Sequence, residues 1–267
     1  MNQVTAVLNE VRASSPLVHC ITNTVVPEIT ANVLLAVGAA PAMIDLPEEA
    51  EIFAGVASAL LINLGNGSSE QHRAMPLAAA SAVAHDRPWV LDPVAVGALP
   101  VRTRLARELL EQTPAAVRGN PSEILGLAGE SAGGRGVDST DAVEDALATA
   151  RGLASRVGTV VAVSGPVDLI VSADRTTRVT GGSDLMPLVI GTGCSLGATV
   201  AACLGAALPA GLGRHDAVVA AHALFAAAGT VAARQASAPG SFRTAWIDAL
   251  YRLTPDEVVG LVTIRDA

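Results

Sequence analysis

Short apolar runs alternate along the chain with longer stretches whose apolar residues recur at helical spacing, and that alternation carries most of the fold information. Pro16–Ile21 (PLVHCI), Ala59–Leu64 (ALLINL), Pro88–Leu91 (PWVL), Ala115–Val117 and Thr159–Ser164 (TVVAVS) read as strands. Leu169–Ser172 and Arg175–Thr180 read as two more, around a polar turn at Ala173-Asp174. Between them, Glu28–Val37, Pro47–Val56, Ser69–Ala84, Arg102–Gln112 and Asp141–Val157 read as helices. Gly38 stops the first of these, and acidic residues open the second, where they suit the positive end of a helix. Asp138, Ser139 and Thr140 mark the start of the last. Ser195–Leu208, Asp216–Gln235 and Phe242–Leu253 form a late run of helices, expected to pack over one side. Strand–helix alternation of this kind predicts an α/β fold, a mostly parallel central sheet with helices on both faces. No internal repeat or linker interrupts it, and Gly129–Gly136 (GESAGGRG) reads as a mobile surface loop.

Composition narrows the function classes. The 267 residues suit one large α/β unit, and 51% are hydrophobic but only 2% aromatic, so the apolar content is mainly small and aliphatic. Gly197–Gly213 is Ala-rich but broken by Gly205, Pro209 and Gly211, short of the roughly 20 apolar residues a membrane span needs. The first 15 residues carry no basic stretch followed by an apolar run, so no secretory signal is expected. A net charge of −8 without a basic stripe argues against a nucleic-acid partner. Cys20, Cys194 and Cys203 contain no C-x-x-C pair, which fits a reducing compartment better than a disulfide or zinc framework. All 17 basic residues are arginine. Without lysine there is no Walker A loop and no Schiff-base chemistry, so any phosphate must be met by backbone N–H groups, arginine and metal.

Four segments could carry chemistry. The strongest is Leu188–Val200 (LVIGTGCSLGATV), read as a strand end, a Gly191-Thr192-Gly193-Cys194 turn and a small-residue helix. Unpaired N–H groups of a first helical turn make an anion site, and a cysteine there is expected to have its pKa lowered from about 8.5 into the range of roughly 3.5–7.5. A tight turn with a core cysteine is the plain alternative. A dinucleotide fingerprint is another, weakened because helix follows and no acidic residue appears about 20 positions on. Asp92 closes PWVL, and Glu123 follows Arg118-Gly119-Asn120-Pro121-Ser122 in the next strand–helix turn. Two carboxylates at neighbouring strand ends could hold Mg²⁺ partly through water, with Arg118 on phosphate oxygens. A helix cap and a structural Arg–Glu pair would explain the same residues. Ser164-Gly165 could meet a nucleotide phosphate or form a simple turn. His19–Asn23 with Gly38–Met43 offers Asn23 and an adaptable apolar wall, Met43, to a small heteroaromatic ring. Taken singly, Met43 reads as core and His19 as a satisfied structural histidine. His72, His85, His215 and His222 have no metal-like spacing and read as structural or solvent-facing.

Read in order, PLVHCITN, ANVLLAVGAAPAM with PEEAEIF, LDPVAVGA, VRGNPSEI, GVDS, VVAVSG, GTGCSLGA and PGSFRTAWIDALY resemble the hydroxyethylthiazole kinase family over nearly the whole chain. The resemblance implies a ribokinase-like three-layer αβα sandwich, with residues 1–267 as a single kinase domain. It implies ATP, Mg²⁺ and phosphorylation of 4-methyl-5-(2-hydroxyethyl)thiazole for thiamine biosynthesis or salvage, in a cytoplasmic homotrimer with interfacial active sites. It further implies Cys194 as catalytic base, and Gly191 and Met43 against the thiazole with Asn23 nearby. Arg118, Ser164 and Gly193 are implied on ATP, and Asp92 and Glu123 on the metal and phosphates. A ribokinase-like kinase of a pyrimidine or pyridine alcohol, or a non-catalytic thiazole- or thiamine-binding protein, would satisfy much of the same pattern.

Overall fold

In a computed structural model describing residues 2–130 and 140–266, nine strands form one sheet in the order β2-β1-β3-β4-β5-β6-β7-β8-β9. The strands are β1 (Leu17–Ile21), β2 (Ala40–Ala42), β3 (Ala59–Asn63), β4 (Trp89–Asp92), β5 (Ala116–Gly119), β6 (Val160–Val163), β7 (Val167–Val171), β8 (Thr176–Thr180) and β9 (Thr263–Asp266). β1 to β6 are parallel, and β7, β8 and β9 continue the sheet antiparallel. The helices are α1 (Asn2–Ser14), α2 (Pro27–Val37), α3 (Pro47–Val56), α4 (Ser69–Ala84), α5 (Pro100–Leu110), α6 (Pro121–Ala128), α7 (Thr140–Asp145), α8 (Leu147–Val157), α9 (Thr192–Ala207), α10 (Arg214–Gln235), α11 (Pro239–Arg252) and α12 (Pro255–Leu261).

The period-two pattern sorts the strands into two cores. Ala59 and Leu61, Val90, Ala116 and Ala162 face a layer of α1, α2 and α9–α12. Leu60 and Ile62, Leu91, Val117, Val161 and Val163 face the opposite layer, α3–α8. The result is the αβα sandwich expected from the alternation, with the late helices on one side.

Several elements escaped the pattern. α1 buries Val4, Val7, Leu8 and Val11 at i, i+3, i+4 and i+7, a helical stripe that the sequence reading did not use. β2 is three residues long and contains Pro41, which a sheet tolerates at an edge, where β2 lies. The helix expected over 141–157 is two, α7 and α8, parted at Ala146. α6, α12 and β9 are additional. The Gly129–Gly136 loop lies beyond the described residues from position 131 on, and the start signals Asp138 and Ser139, with the GVDS motif, lie outside them entirely. One helix, α10, is long and apolar enough to cross a membrane, but 78% of its apolar window is buried in the protein, and it serves as the central helix of its layer.

Candidate functional site

The two-residue repeat that builds the core also builds the site. On the α9-facing side, each of β3 to β6 carries one more same-face position at its carboxyl end: Asn63 after Leu61, Asp92 after Val90, Arg118 after Ala116 and Ser164 after Ala162. Pairing aligns them, with Asn63 opposite Asp92 and Arg118 opposite Ala162. Five strand ends are thereby linked in a polar row. Asn23, just past β1, donates from Nδ2 to Asn63 Oδ1 at 2.9 Å. Arg118 Nη1 lies 3.6 Å from Asp92 Oδ2, and its Nε donates to Ser164 Oγ at 3.0 Å. Ser164 Oγ accepts that bond, so its own proton is free to point outward.

Asp92 is the anomaly in the row. It is fully buried, and neither carboxylate oxygen has a hydrogen-bond partner among the described residues. Burial pushes its carboxyl up to about 7; Arg118 pulls it down, Glu123 pushes it further up, and Asn63 pulls it down again. Glu123 is engaged differently. Its Oε2 accepts from Asn120 N at 2.8 Å in a capping box at the start of α6, and its Oε1 accepts from Ala95 N at 3.0 Å. The capping role weighed for Glu123 is therefore present, and it ties the turn after β4 to the turn after β5.

α9 starts over this row. Gly191 is its N-cap with φ 91°, and Gly193 and Cys194 occupy its second and third positions. Neither Gly193 N–H nor Cys194 N–H has a protein acceptor among the described residues. A Cβ at position 193 would lie 2.9 Å from Arg118 Nη1, so any other residue here would displace the guanidinium on which the helix start settles. The segment before Gly191 is not a strand end as expected. Met186–Leu188 forms a 3₁₀ turn, and Met186 O and Val189 O accept from Thr192 Oγ1.

Cys194 is half-buried, with Asn23 Nδ2 3.5 Å from its Sγ. The expected thiolate is not what this surrounding gives. Burial pushes the thiol up to about 11 and Asp92 adds to the rise; Arg118, Asn63 and Asn23 offset it only in part. Desolvation of the anion outweighs the helix start, so the free protein carries a thiol at neutral pH.

The remaining residues fall into place around this centre. Met43 follows β2 and is exposed, in company with exposed Val25, Leu46, Leu188 and Ile190 on the segments flanking Asn23, Met43 and Gly191. His19 is buried, donates to Ile44 O at 2.7 Å and packs edge-on against Phe53, the structural role expected of it. Sequence reasoning missed Asn63 and Gln71. Asn63 was legible as a polar residue closing an otherwise apolar strand. Gln71 Nε2 reaches Thr22 O at 3.0 Å and Asp45 Oδ2 at 2.8 Å, which no local pattern announces.

Among the described residues no group of three or more His, Cys, Asp and Glu side chains could enclose a metal. A cation that keeps water and shares phosphate oxygens needs only one or two carboxylates, and the unpartnered Asp92 oxygens beside Arg118 fit that requirement.

The sequence profile of the hydroxyethylthiazole kinase family matches residues 8–256. A hydroxyethylthiazole kinase of Corynebacterium glutamicum (strain R) is 56% identical over 260 residues, covering 97% of each chain. The solved structure of a hydroxyethylthiazole kinase protein from Pyrococcus horikoshii superposes with a TM-score of 0.91 at 35% identity, covering all of both chains. A ribokinase-like superfamily protein from Enterococcus faecalis shares the fold, with a TM-score of 0.66 at 13% identity over 92% of this chain and 93% of its own. With its orphaned carboxylate, its arginine and its open helix start joined at the ends of a parallel sheet, the chain has a ribokinase-like fold and belongs to the hydroxyethylthiazole kinase family.

Proposed function

We propose that the protein, acting as one kinase unit over residues 1–267, transfers the γ-phosphoryl group of ATP to the hydroxyl of 4-methyl-5-(2-hydroxyethyl)thiazole, a step of thiamine biosynthesis or salvage. One observation carries the reading: a buried carboxylate, ion-paired with an arginine but without hydrogen bonds among the described residues, lies beneath free helix-start amides, with a cysteine sulfur beside them. That set serves phosphoryl transfer, where positioning and charge stabilisation do most of the work.

The roles follow from the contacts. Arg118, anchored through Nε on Ser164, has its outer nitrogens for phosphate oxygens, and Ser164 has its hydroxyl proton for another. Gly193 and Cys194 N–H groups meet the charge that develops on the transferring group. Asp92, with Glu123 acting through water, would hold Mg²⁺, which draws charge from the phosphate oxygens. Met43, Asn23 and the Gly191 backbone border the ring. Cys194 Sγ takes the hydroxyl proton as that oxygen attacks phosphorus. Because the free protein holds the thiol, the reacting form arises by loss of its proton to solvent, and Arg118 favours that loss.

The exposed apolar side chains beside Asn23, Met43 and Gly191 leave the ring side of the site uncovered in one chain. This supports a homotrimer in which a second copy closes each site. A cytoplasmic location fits a kinase whose three cysteines are all free. Coupled ADP release with hydroxyethylthiazole, ATP and magnesium tests the whole reading. Thiazole-dependent turnover is expected, and a preference for a pyrimidine or pyridine alcohol, or binding without ADP, would overturn it.

A further inference from the structure

Asp168 and His222 belong to none of the motifs used so far, yet they are joined to the site. His222 lies in the middle of α10, fully buried, and its Nε2 has no partner among the described residues. Its Nδ1 stands 2.7 Å from Asp168 Oδ2. Asp168 is the second residue of β7, two positions before Ile170, so it faces the same helical layer. Its other oxygen, Oδ1, accepts from Gly165 N at 2.9 Å. Gly165 directly follows Ser164, whose Oγ accepts from Arg118 Nε. The Ser164–Gly165 turn is therefore gripped twice, by Arg118 from the sheet and by a carboxylate whose direction a buried imidazole fixes.

A buried imidazole is expensive unless it is paired, and one kept with a free nitrogen needs a reason. Core packing alone would be served by an aliphatic side chain, as it is at the neighbouring Ala221 and Ala223. The charge of Asp168 also reaches the site. Burial opposes the Arg118 cation, and Asp92, Glu123, Cys194 and Asp168 together hold it charged.

We infer that Asp168 and His222 are positioning residues for the nucleotide, a brace that fixes the Ser164–Gly165 turn so that Ser164 and Arg118 meet the phosphates of ATP together. The inference rests on the proposal that these two residues bind ATP. Neither Asp168 nor His222 touches substrate in it; both act through the turn.

The test compares Asp168→Ala and His222→Leu with His222→Asn, whose amide nitrogen can stand where Nδ1 stood. Steady-state rates are measured on the full chain with ATP varied at saturating thiazole alcohol and the reverse, beside melting curves. Loss of one hydrogen bond, felt at the phosphates only through the turn, should raise KM for ATP about 5- to 10-fold in the first two, with KM for the alcohol unchanged within about twofold. His222→Asn should recover most of the loss. If Asp168→Ala does not fold, Asp168→Glu keeps charge and bulk but displaces the acceptor, and the same ATP-selective rise is expected. Wild-type KM for ATP in the folded variants, or an equal rise in both KM values, overturns the brace. Ser164→Ala, measured in parallel, tells the layers apart. If it raises KM for ATP while the others do not, only the brace falls; if it too leaves KM unchanged, the assignment of the ATP site falls with it.

Discussion

Replacing Asp92 by asparagine should separate stability from activity, with a signature in pH. The carboxylate is fully buried and without hydrogen bonds among the described residues, and burial raises it from the ordinary 3.8 to about 7. A folded-state pKa above the unfolded value means that the folded protein holds the proton more tightly. The associated stability is fully present below pH 3.8 and is lost as pH rises to about 7. The difference of about 3 units corresponds to roughly 4 kcal/mol at 1.36 kcal/mol per unit, of which about 3 kcal/mol is lost above pH 5. Asparagine cannot ionise, so Asp92→Asn lacks this slope. Removing the charge also deprives Arg118 of a partner 3.6 Å away, but that cost displaces the whole curve without changing its steepness over this range. Urea unfolding of both proteins in ligand-free buffer between pH 5 and 8 measures the difference. Wild type should lose ground to the variant by about 3 kcal/mol across the range, while the variant turns over no thiazole alcohol. Magnesium with ATP should stabilise wild type at pH 8 more than the variant, which keeps the Arg118 and Ser164 contacts but lacks the carboxylate for the metal. Parallel pH profiles would mean that Asp92 ionises like a surface carboxylate, and the argument from its isolation would fail.

Other expectations are more compact. Cys194→Ala should lower kcat by about 10²- to 10⁴-fold and leave the Kd for ATP within about twofold. Because the Cys194 thiol is pushed up to about 11, wild-type kcat/KM for the alcohol should climb nearly tenfold per pH unit above about pH 8, where Asp92 is already ionised, and Cys194→Ala should abolish that climb; a flat wild-type profile there would refute the role of the thiol. In Gly193→Ala the new methyl, 2.9 Å from Arg118 Nη1, must push the guanidinium off its anchors, so KM for ATP should rise about 10- to 100-fold, as when a charged hydrogen bond is lost; calorimetry of ATP binding checks it. His215, lowered below 6.5 by burial and by Arg175, contributes stability that is full above pH 6.5 and lost as pH falls through its folded value. The unfolding free energy of His215→Gln, measured by urea titration, should therefore fall less steeply below pH 6.5 than that of wild type, by up to about 1.4 kcal/mol per pH unit.

What could be read from the sequence, and what could not, divides by the range of the forces involved. The strands and most helices follow from apolar spacing, because burial acts position by position along the chain. Asp92, Arg118 and Ser164 were visible as polar residues closing apolar strands, and Gly191–Cys194 as a glycine turn before a helix. β2 was hidden because three residues with a proline carry no period, and its strand identity comes from pairing with Leu17–His19. The pKa of Cys194 was misread because a helix start is local whereas desolvation depends on what else packs around the sulfur. The Asp168–His222 contact spans 54 residues and a sheet face, so no motif could contain it.

The two-residue cadence of the parallel strands has an evolutionary corollary. Asn63, Asp92, Arg118 and Ser164 each stand one step beyond an aliphatic position that already secures its strand. The aliphatic anchors of each strand are thus in place before the reactive groups begin, and a mutation at such a terminus rewrites the reagent while those anchors stay. Divergence in how phosphate and metal are held would run through these tips, while the aliphatic positions behind them stay under a separate selection for assembly.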